Sequence, residues 1–113
     1  FVADAGNAAV RLLDVATGVM RAVEAERPLA YPVGLAWDAA SRALYVADYA
    51  EHAVFRLGLG ADDGGAGVND TANVTLVAGL PGHAGARGDA ATLFRGVEGP
   101  ATSARLLRPT DLA

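Results

Sequence analysis

Phe1-Val2-Ala3-Asp4 recurs 44 residues later as Tyr45-Val46-Ala47-Asp48, and this repetition decides the fold. Outward from it the register holds, with Ala9-Val10-Arg11-Leu12-Leu13 lying over Ala53-Val54-Phe55-Arg56-Leu57. Met20–Ala25 lies over Val74–Gly79 at an offset of 54, and Pro32-Val33-Gly34-Leu35-Ala36 over Pro109-Thr110-Asp111-Leu112-Ala113 at an offset of 77. The growing offsets place two insertions in the second copy. Short apolar runs broken by turn residues predict four strands per period: Gly34–Asp38, Leu44–Tyr49, Ala53–Leu59 and Val74–Ala78. In the first copy, Ala16-Thr17-Gly18 separates a strand over 10–15 from one over 19–25, and Gly6-Asn7 is predicted to supply positive φ in the preceding turn. A four-stranded antiparallel unit with this period is a propeller blade, so the predicted fold is all-β, a partial β-propeller. Trp37 is expected to be at least partly buried between its sheet and the neighbouring one.

The pair Gly34-Leu35-Ala36-Trp37-Asp38 and Leu44-Tyr45-Val46-Ala47-Asp48 resembles the core of an NHL repeat, as does Phe1-Val2-Ala3-Asp4. The stretch Val77-Ala78-Gly79, Gly99-Pro100-Ala101-Thr102-Ser103-Ala104-Arg105-Leu106, Pro109 and Leu112-Ala113 resembles the long inter-blade connection of many NHL propellers. Asp111 departs from the pattern, standing where Gly34 stands in the other copy. The resemblance implies a closed ring, commonly of six blades. It divides the chain into the end of one blade (1–30), a full blade (31–79), a connection (80–108) and the start of the next blade (109–113). Phe1 falls in mid-strand and Ala113 just inside an inner strand. The 113 residues are therefore expected to form an open arc, incomplete as a folding unit, that needs neighbouring blades or subunits.

Composition narrows the function. There are three Phe, three Tyr, one Trp, one Met and no isoleucine, so the core is thin for an independent domain. The net charge of −4, from 13 acidic residues against nine arginines and no lysine, disfavours nucleic-acid binding. No apolar run approaches the roughly 20 residues that span a bilayer. Without cysteine there is no disulfide, thiolate metal site or cysteine nucleophile.

Each candidate site has a plainer reading beside it. Asp62, Asp63 and Asp70 lie in the glycine-rich stretch from Gly58 to Asn73, but lack the alternating spacing of a calcium loop, so an exposed insertion is expected. Arg87-Gly88-Asp89 matches an adhesion tripeptide, yet its place in the connection explains it better. His52 and His83 are separate turn residues without a carboxylate frame, so neither a metal nor a cofactor is predicted. Ser41 and Ser103 sit in no nucleophile elbow, and no catalytic residue is assigned. Pro100 to Ala104 suits a short helix with Pro at its start, followed by Leu106 and Leu107 as edge packing. Asn69-Asp70-Thr71 and Asn73-Val74-Thr75 are N-glycosylation acceptors where chance expects about 0.2, which favours a secreted or cell-surface origin. The reading that follows is a non-catalytic propeller scaffold for protein partners within a larger protein. The alternative is part of an NHL-type enzyme, a lyase or a lactone or ester hydrolase, with its catalytic residues in other blades.

Overall fold

A computed structural model describes residues 1–59, 71–83 and 100–113. The described residues are all-β, built as two antiparallel sheets. The first has three strands in the order β1 (Val2–Asp4), β2 (Ala9–Leu13) and β3 (Met20–Ala22). The second has four, again in sequence order: β4 (Pro32–Asp38), β5 (Ala43–Asp48), β6 (Ala53–Gly58) and β7 (Asn73–Gly79). All four strands predicted for the second repeat are present. The first repeat's pair is shorter than predicted. Asp14 accepts amide hydrogen bonds from Ala16 and Thr17, which closes a turn and ends β2 at Leu13.

The registers assign every side chain to a face, because neighbours along a strand point to opposite sides. Val46 pairs with Leu35 and Phe55, whereas Ala47 pairs with Gly34 and Val54. One face of the second sheet therefore carries Leu35, Leu44, Val46, Phe55 and Leu57. The other carries Gly34, Ala36, Tyr45, Ala47 and Val54. The large-residue face forms the core with Val10, Val23 and Leu29 from the first repeat. Burying each such Val, Leu or Phe contributes roughly 1.5–3 kcal/mol, so this inter-sheet layer holds the two sheets together. Trp37 lies at its rim, 46% exposed, with its ring 5.3 Å from that of Phe1. It is thus exposed and touches the neighbouring sheet through Phe1, where burial between the two sheets was expected.

The turns differ in detail from expectation. Positive φ falls not on Gly6-Asn7 but on Ala8, which follows a 3-10 turn over Ala5–Asn7. His52, 44 residues on, has the same left-handed conformation with φ 57° against 52° for Ala8. The backbone thus repeats where the residue types do not. The 3-10 turn Ala101–Ser103 follows Pro100, as anticipated, but the residue buried there is Ala104, while Leu107 is exposed. The presumed exposed loop from Gly58 to Asn73 is narrower at its ends. Gly58 closes β6, Asn73 opens β7, and Ala72 is buried and bridged to Ala25; residues 60–70 lie outside the described part. Residues 109–113 are not a strand. They run across the small-residue face with no ladder partner among the described residues.

Candidate functional site

Turns from three segments converge at one end of the second sheet, and Asp48 organises them. Its side chain is fully buried, and its two oxygens accept amide hydrogen bonds from Ala30 (2.7 Å), Tyr31 (3.0 Å), Ala50 and Glu51 (both 3.1 Å). One carboxylate therefore fixes both the lead-in to β4 and the turn after β5. The Tyr49 amide in turn donates to the Tyr31 carbonyl at 2.9 Å. This sets the two tyrosine rings 5.9 Å apart. The Arg108 guanidinium lies over the Tyr49 ring at 5.1 Å, and the Arg108 amide donates to Nδ1 of His52 at 3.1 Å. Beneath them Arg27 pairs with Glu51 at 3.0 Å and stacks on Phe55, 4.6 Å from the ring centre.

His52 and His83, far apart in sequence, belong to neighbouring turns, because the Gly82 amide donates to the Glu51 carbonyl. Their nitrogens have local duties. Nδ1 of His52 accepts from a backbone amide, so its proton is on Nε2; Nδ1 of His83 faces the Pro81 carbonyl and so carries the proton. Gly79 makes the approach of the two turns feasible. Its φ is 95°, and a Cβ there would lie 2.7 Å from Cα of Ala53. Among the described residues no group of three metal-ligating side chains converges.

Several other polar side chains serve turns. Asp4 accepts from the Asn7 amide group and from Arg11, and Asp38 accepts from the Ala40 amide and the Ser41 hydroxyl. The Ser103 hydroxyl donates to the Pro100 carbonyl. Asn73 is exposed at the start of β7; its amide nitrogen donates to Glu26, and its oxygen accepts from the Thr75 hydroxyl. Asn69, the acidic residues 62, 63 and 70, and the tripeptide 87–89 lie outside the described residues.

A second concavity lies on the small-residue face. It is an open cleft of about 390 Å³ between Ala36, Tyr45, Val54 and Ala78 on one side and Leu112 and Ala113 on the other. Sequence reading missed both places. The tyrosines and Arg108 carry no motif, and the alanines of the face read only as composition. The repeated aspartate at 4 and 48 was the one available signal.

The fold and these two places define an all-β protein of two stacked antiparallel sheets. No protein-family model, curated protein or solved structure matches the chain.

Proposed function

We propose that this chain is part of an NHL-type β-propeller that serves as a non-catalytic platform for protein partners. Two sheets related by the sequence repeat and stacked through their apolar faces support the architectural part of this reading. The observation that carries the functional part is the cluster of Tyr31, Tyr49 and Arg108. Aromatic rings and arginine concentrate binding energy at protein interfaces. Here Tyr31 is exposed, and the cluster is held in place by a buried carboxylate rather than by a loose loop. A rigid aromatic surface loses little entropy when it binds.

The test replaces Tyr31 with a photo-cross-linking phenylalanine derivative in the protein expressed in its own cells. A control probe is placed at Val15, which is exposed in the turn after β2. Position 31 should give a defined protein adduct that Tyr49→Ala and Arg108→Ala weaken, while position 15 should not. Equal labelling from the two positions would defeat the reading. The same material reads the compartment: an N-glycan on Asn73 identifies a secretory route, and an unmodified asparagine in secretory cells counts against it.

A further inference from the structure

The turn between β5 and β6 does not need a histidine. His52 and Ala8 hold equivalent places in the two repeats, with left-handed φ of 57° and 52°. An alanine therefore suffices to close this turn, and the imidazole is surplus to it. What the ring adds is a contact across 56 positions, its Nδ1 accepting the Arg108 amide at 3.1 Å.

Arg108 is held there against its own preference. Its φ is 50°, a left-handed conformation that a residue with a Cβ adopts at a cost. Pro109 follows it, and the residue before a proline favours extended backbone. Local chain preference does not put Arg108 in this place; its contacts with the turn do. Two of them are its amide on His52 and its guanidinium over the Tyr49 ring.

We propose that His52 is a proton-operated latch on this segment: the neutral ring holds Arg108 over Tyr49, and the protonated ring lets it go. Nε2 already carries a proton, so a second one can go only to Nδ1, the atom that accepts the amide. An imidazolium has two donors and no acceptor, so one N–H would then face another. The freed residue relaxes towards the extended backbone that Pro109 favours, and the cation leaves the Tyr49 ring. Histidine is the side chain whose charge ordinarily changes between about pH 5 and 8, so the latch closes above that range and opens as pH falls through it. The charged groups around the turn are already engaged. Asp48 accepts four amides, Glu51 pairs with Arg27, and His83 in the neighbouring turn directs its Nδ1 proton to the Pro81 carbonyl. A proton on His83 as well would add positive charge to that turn and act in the same direction. That the latch governs partner binding rests on the platform reading of the Tyr31 surface; the latch itself does not.

The experiment measures amide exchange at residue resolution in the protein purified from its own cells, at about pH 8 and about pH 5, corrected for intrinsic rates. Protection of the Arg108 amide should fall roughly tenfold or more between them, because a freed imidazole binds its proton near about pH 6.5. The Tyr49 amide, which donates to the Tyr31 carbonyl, should keep its protection and so exclude general unfolding. His52→Asn is the discriminating variant. Asparagine tolerates left-handed backbone and offers Oδ1 in place of Nδ1, but takes up no proton. It should protect Arg108 equally at both pH values, whereas His52→Ala should expose it at both. The cross-linked adduct from position 31 should weaken at the lower pH in the unaltered protein and not in His52→Asn. Arg108 protection that ignores pH, or that falls just as far in His52→Asn, overturns the latch. An adduct of equal yield at both pH values overturns its control of the surface. Protection that follows the expected pattern with no adduct at either pH supports the latch and defeats only the platform reading.

Discussion

Asp48 is the side chain on which the loop end of the second sheet depends. Asp48→Ala leaves four amides without their acceptor, two of them in the lead-in to β4. Bonds to a charged acceptor are worth about 1.5–3 kcal/mol each, and water reaches some of the freed amides, so a loss of roughly 3 kcal/mol or more is expected in a urea titration. Asp48→Asn keeps one acceptor oxygen and should recover part of the loss. If Asp48→Ala melts with the unaltered chain, the carboxylate is not the organiser. Its counterpart Asp4 looks the same in sequence but serves Asn7 and Arg11 in a partly exposed setting. The repeat announced two aspartates; what each one holds depended on neighbours from other segments.

Among the turns, the glycines separate by what surrounds them. Gly18 has φ 71° with open space around it, whereas Gly79 has φ 95° and backbone of the His52 turn pressed against it. Gly18→Ala should cost about 1 kcal/mol, the price of a left-handed alanine. Gly79→Ala adds a collision with Ala53 and should cost at least twice that, seen as a lower denaturation midpoint. Equal losses would mean that the two turns do not press on each other. The Gly6-Asn7 expectation failed for a related reason. A 3-10 turn places the left-handed residue after its last member, so Ala8 takes positive φ although glycine was available two residues earlier.

Acid stability belongs to the assembled sheets, since three turn carboxylates act together. The Asn7 side chain and then Arg11 hold Asp4 below its ordinary value of 3.8; Thr17 does so for Asp14, and the Ser41 hydroxyl for Asp38. Each binds its proton less readily folded than unfolded. Their contribution is therefore complete above pH 3.8 and is lost as pH falls through the lowered values. Denaturation midpoints should be level near about pH 6 and drop towards about pH 3, and Asp14→Asn should flatten that slope. A slope unchanged by Asp14→Asn would remove this carboxylate from the account.

Period, strand positions and sheet class were readable from residue order, because a strand's pattern of side chains and the turn residues beside it are local properties. Which face is buried was not, because Tyr45 and Val54 on one face are as large and apolar as Leu44 and Val46 on the other, and only the stacking of the sheets separates them. The Tyr31, Tyr49 and Arg108 cluster was not, nor was the meeting of the turns that carry His52 and His83. Those contacts join residues distant in sequence through the Asp48 carboxylate, ring contacts and single backbone hydrogen bonds, none of which leaves a periodic trace. Only the packing of one sheet on the next, and the side of β4 on which each chain segment came to lie, decided them.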